Sequence, residues 1–543
     1  MRVGDLDNTR IAAQLDTLAG LLDLAGASPY SVRAYRRAAE LIRATPAPVA
    51  GLVRSGRVRD LRGIGASIEA RLRELVETGR IAEIDELERE VQPELVALAH
   101  LVGVGPERMV ALGKALGVRT AEELREAAAA GRLQEAPGIG PTTEAKIRAA
   151  LAEPRPAPRR GLTLNRAWAL AEAIARPLGG EVAGDPRRWC DLSERLAVVV
   201  AAAAAAPLLE RFAALPEIVT LVDRSADGAL GVTVEGVPVE LVVAAPERFG
   251  TELVRATGGD AYVAALGELP AAADEHGVYA ALGLPWLPPE LREQPFRGAP
   301  PALVELAQIR GDVHVHTTWS DGKASVLEMA EAARDLGYDY VAICDHTTNV
   351  SVVPGLTADD VRRQGDEIAH ANELLAPFRV LRGIECDILA DGSLDLPDDA
   401  LAELDWVQAS VHAGQRQSRD QLTKRTLAAV EHPAVRSISH PQGRILNHRP
   451  PNDVDLEAVF AACAANGTAV ETNGLPDRID LSSELVRAAI AAGVRITCST
   501  DAHSARGLGN MQLSVATARR GWATAADVLN TRGLDELLGA KRR

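Results

Sequence analysis

Six short apolar runs in the second half of the chain each carry a metal-ligating side chain at or near their end, and segments of helical period separate them. GDVHVHT carries His314 and His316, YDYVAICDH ends on His346, FRVLRGIECDI carries Glu385, WVQASVH ends on His412, AVRSISHP carries His440, and VRITCSTDAH supplies Asp501 and His503. Nine of the eleven histidines lie between Asp312 and Ser504. Helical periodicity spans 325–336, 357–376, 417–431, 454–465 and 482–492. Such alternation predicts a parallel β/α barrel, whose strands are buried and whose functional residues project from the strands' C-terminal ends. The ligand-type residues are then expected at one mouth. Imidazole with carboxylate, and no thiolate at these positions, suits Zn²⁺, Mn²⁺ or Fe²⁺ in a catalytic site rather than a Cys-rich structural one.

A chain of 543 residues is too long for one core, so several domains are expected. The net charge of −16 excludes nonspecific clinging to nucleic acid by the whole molecule and leaves room for a local basic face. Cys190, Cys344, Cys386, Cys463 and Cys498 show no pairing logic and read as free thiols in a reducing cytoplasm. No apolar run is long enough to span a bilayer; AVVVAAAAAAPLL fits a buried strand leading into a helix. A cytoplasmic protein without membrane contact is expected.

Residues 1–153 are helical by period and repeat one pattern three times: LRGIGASIEARL, LVGVGPERMVAL and APGIGPTTEAKI. In each, two glycines (Gly63 and Gly65, Gly103 and Gly105, Gly138 and Gly140) precede a helix start, where backbone N–H groups can meet a phosphate. A single copy reads equally well as a helix connection; three point to helix-hairpin-helix modules that grip DNA by its backbone, independent of sequence. A proline-rich stretch makes 154–162 a linker. Residues 163–298 mix helices with β-rich runs such as LAVVVAA, VTLVD, LGVTVEG and VPVELVVAA, an α+β pattern whose function periodicity leaves unread. Residues 299–543 hold the barrel, and a fragment from about Pro301 is expected to fold alone.

Over almost its whole length and in colinear order, the sequence resembles a bacterial family X DNA polymerase. SPYSVRAYRRAA and the glycine pairs resemble that family's 8-kDa and fingers regions, PERFGTELVRATGG and VYAALGLPWLPPELRE its palm and thumb, and the last part its PHP domain, a distorted seven-stranded (β/α)7 barrel binding three metals. Family palms carry Gly-Ser, Arg-Arg and then Asp-x-Asp, because paired carboxylates hold the cations that activate the 3′-hydroxyl and the triphosphate. Here GDPRRWCDLSERLAVVV puts Asp185 at the serine and Arg195 and Ala197 at the carboxylates, with Glu240 at the third acidic position. Asp191 and Glu194 could form a displaced pair, but a spacing of three does not suit one face of a strand. A degenerate nucleotidyltransferase palm is expected. Arg71 stands where the family's lyases place a Schiff-base lysine, and a guanidinium does not form that imine.

The PHP part matches the family at every ligand position. The resemblance implies one metal on His314, His316, Glu385 and Asp501, a second on Asp321, His346 and His503, and a third on His412, His440 and Glu385, the ions being manganese or zinc with iron as a further option. Glu385 and Asp501 would also serve catalysis, and Arg444 and Arg478, just past strand ends, are candidate phosphate clamps with salt-bridged barrel residues as the plain alternative. The function implied is a metal-dependent phosphoesterase on DNA, a 3′–5′ exonuclease or 3′-end processing nuclease in repair, with polymerisation lost. Alternatives are a histidinol-phosphatase-like enzyme on a small phosphomonoester, a noncatalytic DNA-binding scaffold, or a working polymerase if the palm alignment slips. Protein partners are unknown from the sequence.

Overall fold

Polar residues set the starts of the barrel helices. Ser325, Thr357 and Ser418 each accept a hydrogen bond from the backbone N–H three residues on, and Glu328, Asp360 and Gln421 accept one in turn from the cap's own N–H. These reciprocal caps begin helices Val326–Asp335, Ala358–Leu375 and Arg419–Glu431, within a residue or two of the periodic segments. The computed structural model describes residues 6–24, 28–88, 106–118, 120–152, 161–350 and 353–539. They form two compact units: Met1–Pro158 with Ala202–Val243, and Arg159–Ala201 with Ala244–Arg543.

In the first unit, helices Asn8–Leu24, Pro29–Ala44, Val49–Arg54 and Ala66–Thr78 bury Ile11, Leu15, Leu18, Ile42, Leu72 and Leu75 in one core, which takes in Val219 and Val232 from the unit's strands. Helices Pro106–Leu116, Ala121–Ala129 and Pro141–Ala152 close on Met109, Leu112, Leu124 and Ile147. Gly63, at φ 107°, turns the chain as only glycine does without strain, and Gly65 caps helix Ala66–Thr78. Gly138 does the same, at φ 79°, before helix Pro141–Ala152. The middle glycine pair, Gly103 and Gly105, and all of the linker but Gly161 and Leu162 lie outside the described residues. Strands Ile218–Arg224, Gly228–Thr233 and Pro238–Ala244 pair antiparallel, where the β-rich runs place them.

In the second unit, strand Glu181–Ala183 pairs antiparallel with Leu196–Ala201. Seven parallel strands follow: β1 (Gly311–Val315), β2 (Tyr340–Ile343), β3 (Arg379–Asp387), β4 (Trp406–Ser410), β5 (Val435–Ile438), β6 (Ala469–Asn473) and β7 (Ile496–Ser499). Their order in space is their order in sequence. Beyond the strand ends, Asp501 N–H donates to His314 O at 3.0 Å and His316 N–H to Ala502 O at 2.9 Å, which brings β7 back to β1. This is the expected (β/α)7 barrel. β3 is nearly twice as long as its neighbours because its first half pairs with β2 and its second half with β4. That stagger carries Glu385 into the interior. Gly383, at the changeover, has no room for a side chain, since a Cβ there would meet Ile343 O at 2.6 Å.

Candidate metal centre

The ligand-type residues sit on or just past the C-terminal ends of the strands. His314 lies in β1 and His316 follows it; His412 and His440 stand two residues beyond β4 and β5; Asp501 and His503 follow β7. The barrel therefore brings all nine to one mouth. Three groups of ligand atoms converge, those within a group lying within 4.8 Å of one another: His316, Asp321, His346 and His503; His314, His316 and Asp501; and His346, Glu385 and His412.

Glu385 is central. Its Oε1 lies 2.8 Å from His440 Nε2 and 3.4 Å from His412 Nε2; its Oε2 lies 2.9 Å from His346 Nδ1, 3.5 Å from His314 Nε2 and 3.7 Å from His316 Nε2. Asp501 Oδ1 lies 3.0 Å from His316 Nε2, and Asp321 Oδ2 3.2 Å from His503 Nε2. The grouping is finer than the sequence suggests, with His316 and His346 each facing two groups. His440 and Asp501 hold left-handed backbone at φ 27° and 54°, a conformation costly for non-glycine residues and concentrated at functional sites.

The donor set fits divalent ions on a direct observation. His316 Nδ1, His346 Nδ1, Glu385 Oε2 and His412 Nε2 are buried and make no well-aligned hydrogen bond among the described residues, although His346 Nδ1 and Glu385 Oε2 lie 2.9 Å apart. Buried polar atoms are nearly always satisfied, so four such atoms aimed into one cluster mark a place for a cation. Burial works to raise the pKa of Glu385, but the imidazoles of His412, His314 and His346 outweigh it and hold the carboxyl well below its usual range. Burial, with His346 close by, brings His316 down to about 4 and leaves it neutral, as a ligand must be.

Behind the ligands stands a layer of carboxylates that sequence reasoning missed. Glu471, fully buried in β6, accepts from His314 Nδ1 at 2.7 Å, Ser439 Oγ at 2.9 Å and the His440 N–H at 2.7 Å. It thereby aims His314 Nε2 at the centre. Asp387 accepts from the His412 N–H at 2.8 Å, and Asp345 from Thr317 and Gln364, which fixes the turn leading to Asp321. The readable signal was a carboxylate inside an apolar strand run, a residue that demands a partner. Arg478 Nε lies 3.7 Å from Asp501 Oδ2, beside the cluster. Arg444 instead pairs with Asp191 at 2.9 Å and donates to Ile479 O.

The sheet Glu181–Ala183 with Leu196–Ala201 holds no comparable carboxylates. Arg195 is two-thirds exposed, 3.5 Å from Asp260, and Ala197 pairs in register with Ala183. Arg187 is bound through both terminal nitrogens by Glu275, and Arg188 by Asp185 and Glu293. In the first unit Glu240 is exposed opposite Leu230, and Arg71 pairs with Glu83 at 2.7 Å.

Residues 312–445 match the family model of the PHP domain, residues 6–81 that of the helix-hairpin-helix domain, and residues 95–153 that of the SAM-like helix-hairpin-helix tandem. The chain is 33% identical over 557 residues to the DNA polymerase/3′-5′ exonuclease PolX of Bacillus subtilis (strain 168), a match covering 96% of this chain and 97% of that protein. This chain belongs to the PolX family. The barrel part has further relatives: a probable phosphatase of Acetivibrio thermocellus, 29% identical over 35% of this chain and 78% of its own length, and one of Photobacterium profundum, 31% identical over 37% and 81%. Among the described residues no helix is long and apolar enough to cross a membrane.

Proposed function

We propose that the protein is a metal-dependent phosphoesterase acting on DNA, a 3′–5′ exonuclease or 3′-end trimming nuclease in repair, whose palm has lost nucleotidyl transfer. The observation that carries this reading is the contrast between two sites on one chain. Eight ligand-type residues converge at the barrel mouth with His440 joined to them through Glu385, whereas Arg195 and Ala197 stand where a palm needs carboxylates. Divalent ions at such a cluster supply a Lewis acid for a phosphoryl oxygen and lower the pKa of water. His314, His316, Asp321, His346, Glu385, His412, His440, Asp501 and His503 would hold up to three of them, manganese or zinc, with iron as a further option. Arg478 would meet the substrate phosphate.

The domain reading follows: 1–153 for DNA, 154–162 as linker, 163–298 as degenerate palm and thumb, and 299–543 as the phosphoesterase. The amides at the starts of helices Ala66–Thr78 and Pro141–Ala152 would take backbone phosphates without reading bases, in a cytoplasmic setting. The buried ion pairs of Arg187 and Arg188 support the loss of polymerisation, since a guanidinium already neutralised by carboxylates is poorly placed to receive a triphosphate. The phosphatase relatives favour a second reading, hydrolysis of a small phosphomonoester, which leaves the helix-hairpin-helix modules without a task.

Manganese-loaded protein on a 5′-labelled primer-template, with and without nucleotides, is the test. Stepwise shortening and no extension are expected. Extension abolished by Glu240→Ala would show the palm to be alive, and a protein that hydrolyses neither DNA nor small phosphate esters would be a scaffold.

A further inference from the structure

The segment after the two palm arginines has left the palm's chemistry and joined the barrel's. Asp191 Oδ2 lies 2.9 Å from Arg444 NH1, while its Oδ1 accepts from the Leu192 N–H at 3.0 Å. Arg444 follows His440 by four residues in the loop after β5, and its other terminal nitrogen donates to Ile479 O in the turn after β6. Its own backbone N–H donates to Asp480, which is fully buried and also takes the Gln442 N–H at 3.0 Å. One guanidinium therefore ties two loops of the mouth together, and Asp191 holds that guanidinium.

The turn so held carries Arg478, whose Nε lies 3.7 Å from Asp501 Oδ2. The contact is built rather than incidental. Trp189 and Leu192 pack against a small apolar core of Leu164, Leu446, Ile479 and Leu513, and Asn447 exchanges hydrogen bonds with both the N–H (3.2 Å) and the carbonyl (2.9 Å) of Gly161. Arg444 is about nine-tenths buried, so its charge needs this partner.

We propose that Asp191 is a positioning residue of the barrel's phosphate site, acting through Arg444 to fix the 475–480 turn and thus Arg478. The proposal rests on the phosphoesterase reading and adds to it a substrate-binding role for a palm segment. Arg444 on this view bridges loops, and Arg478 meets the phosphate.

The test uses full-length, manganese-loaded protein carrying Asp191→Asn, Asp191→Ala, Arg444→Ala or both alanine substitutions. Asp191→Asn keeps the side chain's shape and its acceptor for Leu192 while removing the charge. Calorimetric affinity for inorganic phosphate and the kcat and KM for bis(p-nitrophenyl) phosphate are the readouts, with melting temperature and metal content alongside. Each single variant is expected to weaken phosphate binding and raise KM about tenfold, with kcat within about threefold and metal content unchanged. The double alanine variant should be no worse than Arg444→Ala alone, because both substitutions break one connection. Wild-type phosphate affinity in Asp191→Asn and Asp191→Ala, or losses that multiply in the double variant, would overturn the proposal while leaving the phosphoesterase reading intact. A wild-type protein that neither binds phosphate nor hydrolyses the ester would overturn both.

Discussion

Glu385 and Glu471 divide the work at the candidate metal centre between them: one faces the imidazole nitrogens and the other holds His314 in place. Glu385 spans five imidazoles with two oxygens, so its loss strips ligands from more than one position. Glu385→Ala is expected to lose more than one equivalent of bound metal and His503→Ala at most one, measured by elemental analysis after dialysis. Equal losses would mean that Glu385 does not bridge. Glu471 touches the cluster through the Nδ1 of His314 and the loop at His440. Glu471→Gln should weaken metal binding by about 10–100-fold without removing a ligand, as seen when such supporting carboxylates are altered. Metal titration at fixed pH would show it, and unchanged affinity would relegate Glu471 to packing.

Glu275 works at the scale of elements, joining the short helix Gly184–Arg187, its own helix Glu275–Ala281 and the turn that carries Arg292. Burial would raise its pKa, but hydrogen bonds from Arg187 and Arg292 prevail and bring it to about 2. A folded pKa below the unfolded one gives stability that is present above the unfolded value, ~4.5, and lost as pH falls toward the folded one. Glu275→Gln should cost about 3 kcal/mol at neutral pH by leaving two arginines unpaired, and the deficit should shrink as pH falls below ~4.5. A melting-temperature gap that ignores pH would disprove the assignment. Elements such as these were only partly legible in the sequence. The helices Ala358–Leu375 and Ser483–Ala491 and the strand Leu196–Ala201 fall where period and apolar runs put them, because burial of one face writes itself into spacing. Eight of the nine candidate ligands were legible as polar residues at or near the ends of apolar runs, and Asp321 followed from the family resemblance alone. Glu471 left only the trace of one carboxylate inside the AVETN run, which names no partner, and the pairing of Asp191 with Arg444 left none, because long-range ion pairs have no periodic signature.

For the molecule as a whole, the structure draws its boundaries by contact rather than by sequence order. Arg519 reaches back to Glu290 at 2.7 Å and to Val304 O at 2.9 Å, and Trp522 packs edge-on against Phe296 with ring centroids 4.7 Å apart. A fragment beginning at Pro301 leaves Glu290 and Phe296 behind. It should melt lower than one beginning at Ala244, on the order of 5 °C by circular dichroism; coincident melts would support the boundary near Pro301. The meeting of β7 with β1 has a consequence of its own. The amides that close the ring, those of His316 and Asp501, belong to two candidate metal ligands and flank the cluster. Removing the ions should loosen this seam before any other part of the barrel, so in chelator the amide protons of His316 and Asp501 should exchange with deuterium faster while those of β4, buried between its neighbours, keep their rate. Ring closure and ion occupancy would then be a single equilibrium, visible one amide at a time.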